Sequence, residues 1–304
     1  MPAPAVLSTG DALAAGAVQL RPIARGDRDE AARVVYEAFA GIHDRHRFPR
    51  DFPTLEAATD LVGSFIAHPL IWGVVAERNG RIVGSNFLDE RGPVRGVGPI
   101  TVDPAAQAVG VGRRLMQAVI ERGADAAGIR LLQDSFNTRS LALYASLGFD
   151  VAEPVVVMGG TPRATRPDHV EVRPLVADDL EAAEQLCRAV HGFERTNELR
   201  DALEAPTLRP LAALRDGRLV AYATTLSFFP AAYAVAETEH DMAALIAGAL
   251  AASDAPASFL LPTRQHELFR WCLQAGLRVV KPMTYMAVGE YRPPHGAWIP
   301  SVLY

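Results

Sequence analysis

The run Val97-Gly98-Pro99-Ile100-Thr101-Val102-Asp103-Pro104-Ala105-Ala106-Gln107-Ala108-Val109-Gly110-Val111-Gly112 decides the fold. Its first six residues are apolar and rich in β-branched side chains, and predict one buried strand. Asp103-Pro104 ends that strand, because proline has no N–H for a ladder and restricts the residue before it. Beyond the loop, Val111, Leu115, Ala118, Val119 and Arg122 recur at helical spacing, with Arg113, Arg114, Gln117 and Glu121 on the opposite face. A glycine-containing loop that opens onto a helix presents the leading backbone N–H groups in one direction. With the helix dipole behind them, they form a receptor for phosphate oxygens.

Two phosphate loops are excluded by spacing. A dinucleotide fingerprint needs G-x-G-x-x-G, and a nucleoside-triphosphate loop needs a Lys after its last glycine; here Arg113-Arg114 follows Gly112. The hexapeptide Gln107-Ala108-Val109-Gly110-Val111-Gly112 instead resembles the coenzyme A pyrophosphate loop of the GNAT superfamily of acyl-CoA N-acyltransferases, written [RQ]-x-x-G-x-[GA]. The resemblance implies acetyl-CoA as co-substrate, held by Gln107 to Gly112 and Arg113.

Composition agrees with a globular protein. The 304 residues suffice for two domains, and 49% hydrophobic with 21% charged residues is an ordinary folded balance. A net charge of −5 and the absence of any Lys/Arg block argue against nucleic acid as a partner. No apolar stretch reaches membrane-spanning length, and the start lacks the basic end of a signal peptide. Cys187 and Cys272 stand apart without metal-ligand spacing, which predicts reduced, buried thiols, no metal and a cytoplasmic protein.

The chain repeats itself. Gln19-Leu20-Arg21-Pro22-Ile23 returns as Glu171-Val172-Arg173-Pro174-Leu175, each followed by an acidic helix start. Arg78-Asn79-Gly80-Arg81 returns as Arg215-Asp216-Gly217-Arg218, two hairpin turns whose central residues take positive φ. Leu143 to Phe149 parallels Trp271 to Leu277, each a short helix stopped by glycine. The expected organisation is a flexible stretch 1–17, a first domain 18–160, a linker 161–168, a second domain 169–290 and an apolar tail 291–304. The order of strands and helices in 18–160 resembles the GNAT fold, an α/β (α+β) architecture with a mixed, mostly antiparallel sheet flanked by helices. In the second half no glycine lies between Gly217 and Gly248, and Glu237, Glu239 and Asp241 occupy the loop's place. The second domain is therefore expected to be a degenerate, structural copy.

The resemblance also assigns chemistry. Tyr144, on the short helix after the fifth strand, matches the family's general acid for the thiolate, and its counterpart in the second half is Cys272. Asn137 resembles the family's cofactor-contacting asparagine, and by residue type is equally an N-cap of the helix from Thr138 to Leu147. Backbone groups of Ile100, Thr101 and Val102 would meet the pantetheine arm and acyl carbonyl. The loop Gly41 to Phe52 would build the acceptor pocket, with His43, His46, Phe48 and Asp134 as candidate acceptor contacts and Phe52 in its wall. Its three arginines against two aspartates favour an acceptor bearing a carboxylate. The general base stays open among Asp134, Ser135, Asp89, Glu90, His43, His46 and water. The implied activity is acetyl transfer to a primary amine of a small molecule, by direct attack in a ternary complex within a monomer or homodimer. A protein or peptide N-acetyltransferase and a non-catalytic acetyl-CoA sensor are the alternatives. The Pro-rich, aromatic segment after Tyr291 could dock across the domains, close the acceptor pocket or bind a second chain.

Overall fold

The computed structural model describes residues 16–161, 169–228, 232–251 and 256–303, and for 107–109 the backbone alone. The expected flexible stretch 1–17 and linker 161–168 fall almost entirely outside the described residues. The chain divides into two compact units, Met1–Arg45 with Arg50–Phe87 and Pro99–Val119, and His46–Pro49 with Leu88–Gly98 and Ile120–Tyr304. This division does not follow the sequence repeat.

The first unit opens with β1 (Gln19–Pro22) on β2 (Ile71–Arg78), which neighbours β3 (Arg81–Asp89); β5 (Thr101–Val102) pairs β3. The hairpin Asn79-Gly80 takes the predicted left-handed backbone, φ 54° and 71°. Helices α1 (Arg28–His46), α2 (Leu55–Ala67) and α3 (Val111–Arg122) accompany these strands. Arg21 grips Asp27 (2.6 Å) and Asp27 accepts the Ala24 N–H (2.7 Å), so the chain enters α1 at a fixed angle. Thr54 caps α2 through the Ala57 N–H. Val74, Val75 and Phe87 of the strands and Val111, Leu115 and Val119 of α3 are buried.

In the second unit the end of β3 pairs β4 (Val94–Val97), and β4 runs parallel to β6 (Gly128–Asp134). The single strand expected over Val97 to Val102 is therefore two strands, β4 and β5. The break falls at Gly98-Pro99, where Gly98 takes φ 141° and proline cannot continue a ladder. From β6 the order continues β13 (Arg278–Gly289), β7 (Asp150–Gly160), β12 (Ala257–Pro262), all antiparallel. A strand of the second repeat thus lies between two strands of the first. The repeats share a sheet, which their separate sequence landmarks do not disclose.

A second, all-antiparallel sheet runs β14 (Ala297–Ile299), β11 (Ala234–Ala236), β10 (Arg218–Ala223), β9 (Leu211–Arg215), β8 (Glu171–Pro174). Helices α5 (Leu180–His191) and α6 (Thr196–Glu204) bury Leu186, Cys187, Val190 and Leu199 on one face. Helix α7 (Glu239–Ala251) packs Met242, Leu245 and Ile246 on the other, joined by Leu268 and Cys272 of α8 (His266–Gln274). Both cysteines are free and buried, as expected. The repeat holds to single hydrogen bonds: Arg173 grips Asp179 (2.7 Å), and Asp179 accepts the Val176 N–H (2.9 Å). Among the described residues, no helix is long and apolar enough to cross a membrane.

Candidate active site

The phosphate-loop segment forms in three steps. Asp103 Oδ1 accepts the Ala105 N–H (2.8 Å) and starts a 3-10 helix, Pro104–Val109. Gly110 ends that helix in the left-handed conformation, φ 75° and ψ 9°. Helix α3 then begins at Val111, and the Arg114 N–H donates to the Gly110 carbonyl (3.2 Å). The leading N–H groups of α3 thus fall at a helix end with the dipole behind them. Nothing lies within 4 Å of where a Cβ on Gly110 would sit, so glycine is required by backbone angle and not by crowding. Gln107, Ala108 and Val109 lie in the 3-10 turn, and their side chains lie outside the described residues. Arg114 donates to the Val18 carbonyl (2.5 Å), and Arg113 stands exposed beside the loop.

Thr101 ties its hydroxyl to Ser85 (3.1 Å), both side chains buried, while its backbone pairs β3. Ile100 itself is half-buried.

Tyr144 lies on α4 (Thr138–Ala145), 6% exposed, edge-on to Phe149 at 6.4 Å. Burial pushes its hydroxyl up to about 12; the Asp134 charge adds to this and a hydrogen bond with Ser140 opposes it. The group is therefore a protonated phenol at neutral pH, the state an acid requires. Asn137 caps α4 by accepting the Ser140 N–H (3.3 Å), so its capping role is realised. Helix α4 stops at Ala145, two residues before the predicted Leu147.

The predicted acceptor loop needs correction. Gly41 to His46 are helical, the last turns of α1, because nothing in Gly41-Ile42-His43-Asp44-Arg45-His46 breaks a helix. His43 falls on the apolar face one turn after Phe39 and is fully buried: Nδ1 lies 2.8 Å from the Phe39 carbonyl and Nε2 3.5 Å from Asp51. Phe52 is buried edge-on to Phe39 at 5.3 Å. Arg50 holds Asp44 through Nε and Nη2 (2.8 and 2.5 Å), which removes one cation from the expected basic loop. In the other unit, Phe48 stacks on Phe136 at 4.3 Å, and the exposed His46 ring lies 5.2 Å from the same ring. Phe136 is absent from the acceptor contacts that the sequence suggests.

Asp134, at the end of β6, is 8% exposed and meets Lys281 Nζ at 2.7 Å. Lys281 comes from β13 of the second repeat and is 2% exposed. It is the only lysine in the chain, the one compositional signal that could have singled it out. Nearby, Ser135 shares a hydrogen bond with Thr284 (2.8 Å). Removing one member of a buried ion pair leaves the other charge unpaired and costs about 3–5 kcal/mol. Lys281→Met is expected to destabilise the fold by that amount in urea unfolding, and adding Asp134→Leu should recover part of it. A midpoint within error of wild type in Lys281→Met would show that the pair is hydrated.

In the second half, Glu237, Glu239 and Asp241 are all engaged. Glu237 pairs with Arg218, Glu239 accepts the Leu268 N–H (2.7 Å), and buried Asp241 holds Arg215 and the Thr238 hydroxyl, each at 2.6 Å. Thr238 in turn caps the first turn of α7 through the Asp241 N–H (3.1 Å).

Residues 32–149 match the family model of the acetyltransferase (GNAT) family. Similar solved structures include a putative acetyltransferase from Pyrococcus horikoshii, TM-score 0.68 at 14% identity, covering 99% of this chain and 98% of that one. A GCN5-related N-acetyltransferase from Sphaerobacter thermophilus gives 0.62 at 14%, covering 92% and 98%. A tandem GNAT protein from the clavulanic acid biosynthesis pathway gives 0.58 at 15%, covering 91% and 100%. At these identities the likeness is one of fold. No curated protein matches the sequence. Residues 32–149 thus match the acetyltransferase (GNAT) family model, within a chain whose fold is similar to that of a tandem GNAT protein.

Proposed function

We propose that the chain moves an acetyl group from acetyl-CoA to a primary amine of a small molecule, through its first repeat (18–160). The observation that carries this reading is Gly110, left-handed and uncrowded, placed directly before the first turn of α3. Its setting suits a pyrophosphate: leading helix N–H groups, a helix dipole and the exposed Arg113. Gln107 to Gly112 would hold the pyrophosphate, and the peptide groups of Ile100, Thr101 and Val102 the pantetheine arm and acyl carbonyl. Asn137 keeps its cap and would meet the cofactor with its remaining amide group.

The chemistry follows from these roles. The amine nitrogen attacks the thioester carbonyl carbon, and collapse of the adduct breaks the carbon–sulfur bond. Tyr144 gives its hydroxyl proton to the departing sulfur. The proton lost by the amine passes to solvent, and the phenolate recovers one from it, so the cycle balances. Phe136 with Phe48 and His46 offers an aromatic wall for the acceptor. Asp134 is committed to Lys281 and serves better as a fixed anion toward an ammonium-bearing acceptor than as a base.

Gly110→Val tests the reading. A β-branched residue at φ 75° is strained, and the loop must shift off its phosphate geometry. Charge-assisted hydrogen bonds contribute roughly 1.5–3 kcal/mol each. Acetyl-CoA binding measured by calorimetry should therefore weaken about tenfold or more, with circular dichroism unchanged. Wild-type affinity in a folded Gly110→Val protein would remove the phosphate loop from this reading.

A further inference from the structure

The segment after Tyr291 is placed by the structure on one particular edge. Counting from the hairpin glycines, Gly84 and Ser85 stand where Ala221 and Tyr222 stand in the second half. Gly84 and Ser85 pair Val102 and Thr101, and Ala221 and Tyr222 pair Ala236 and Val235. A further bond confirms the equivalence: Asp103 N–H donates to Val83 O and Glu237 N–H to Val220 O, each at 2.9 Å. Ala234–Ala236 are thus the second-half counterparts of Ile100–Val102. Counting back from Gly148 and Gly276, Gln265 is likewise the counterpart of Asn137, each heading its short helix.

Both counterparts hold the same segment. Ala297–Ile299 form β14 on β11, with Trp298 opposite Val235. On its other side, Gln265 brackets the Trp298 peptide: its Nε2 donates to the Trp298 carbonyl and its Oε1 accepts the Trp298 N–H, both at 2.7 Å. Gln265 is 1% exposed and Trp298 2% exposed, with its ring edge-on to Tyr285 at 5.2 Å and His191 at 5.4 Å. Approach to β11 requires glycine at 296: a Cβ there would lie 2.6 Å from the Ala236 carbonyl and 2.7 Å from that of Glu237, at φ 95°. Beyond β14, Ser301 accepts from buried Arg195 (3.3 Å) and Leu303 is 3% exposed.

We infer that residues 295–303 occupy in the second half the cleft that acetyl-CoA takes in the first, so that this cleft's ligand is an extended apolar segment of its own chain. The inference rests on the proposed roles of Ile100–Val102 and Asn137. The segment satisfies the peptide edge of β11 as a pantetheine arm would, and its tryptophan fills the volume in place of a thioester. Nothing of a phosphate-binding end is needed, which agrees with α7 being capped by Thr238 rather than left open for an anion.

Amide hydrogen exchange on the full chain tests this. In wild type, 234–236 and 297–299 should exchange at a common slow rate, because each covers the other. Gly296→Ala and Gln265→Ala should each speed both segments about tenfold or more, the loss of at least one hydrogen-bonded pair, while β2 and α3 keep their protection. A synthetic peptide of sequence 291–304, in excess, should restore protection of 234–236 in Gly296→Ala. Saturating acetyl-CoA should protect 100–112 and leave 234–236 and 297–299 unchanged. Free exchange at 297–299 beside a protected 234–236 in wild type would overturn the inference, as would release of 297–299 by acetyl-CoA. Should acetyl-CoA protect no segment at all, the proposed function fails while the common rate still decides the role of 295–303.

Discussion

Tyr144→Phe should leave acetyl-CoA binding within about twofold of wild type and reduce turnover by a factor on the order of 10²–10⁴, the usual cost of losing a general acid. The substitution keeps the ring against Phe149 and removes only the hydroxyl. The largest influence on that hydroxyl is burial, which disfavours the phenolate and pushes the group up to about 12 from an ordinary 10.0. The sign has two consequences. In the native protein the acid form persists through the neutral and moderately alkaline range, so turnover against pH should show no alkaline limb from Tyr144 below about pH 11. Stability is present in full below the unfolded value near 10 and falls as pH rises toward 12, because only the unfolded chain then ionises freely. An amine-library screen read by free-thiol release supplies the substrate for the measurement. Turnover of Tyr144→Phe within threefold of wild type, with any accepted amine, would reduce Tyr144 to a core residue. A sensor without catalysis would give no thiol release for either protein.

What the sequence disclosed about this site, and what it concealed, has physical reasons. Asn79-Gly80 and Asp216-Gly217 were legible because positive φ at both central residues is a local demand that few residues meet. The loop entering α3 was legible for the same kind of reason, a glycine between two periodic patterns. His43 was misplaced because histidine, aspartate and arginine carry no helix-stopping geometry, and α1 simply runs on to His46. The division of β4 from β5 was signalled by Gly98-Pro99, yet the apolar run on either side concealed it. Lys281 and Phe136 are a different case. Strand periodicity says which face a side chain takes, but not which strand lies alongside. The insertion of β13 between β6 and β7 is a long-range pairing, and it alone brings Lys281 to Asp134 and Thr284 to Ser135. The same insertion means that residues from 168 onward are no independent unit: cut free, β13 would lose both neighbours. Any test of the second half therefore belongs on the intact chain.

Titration of that intact chain with acetyl-CoA should give one site per polypeptide, and Gly110→Val should weaken that site without exposing a second. The two halves differ at every element that would hold the ligand. In the first, Gly110 turns the chain into α3 and leaves a helix end beside the exposed Arg113. In the second, the corresponding turn carries Glu237, paired with Arg218, and Asp241, which holds Arg215 and Thr238. A pyrophosphate arriving there would meet carboxylates in place of N–H donors and would have to break a capped first turn. Forgoing two charge-assisted hydrogen bonds alone lowers affinity by roughly a hundredfold or more, before like-charge repulsion is counted. The acyl end is closed as well, since β14 lies on Ala234–Ala236 and Gln265 holds both peptide groups of Trp298. Gly296→Ala separates the two barriers. It frees the acyl end but leaves the acidic turn intact, so calorimetry should still find a single site. A second site of comparable affinity in wild type would mean that the acidic turn rearranges to admit the cofactor. One that appears only in Gly296→Ala would mean that the segment after Tyr291, and not the lost phosphate loop, is what keeps the second half from binding it.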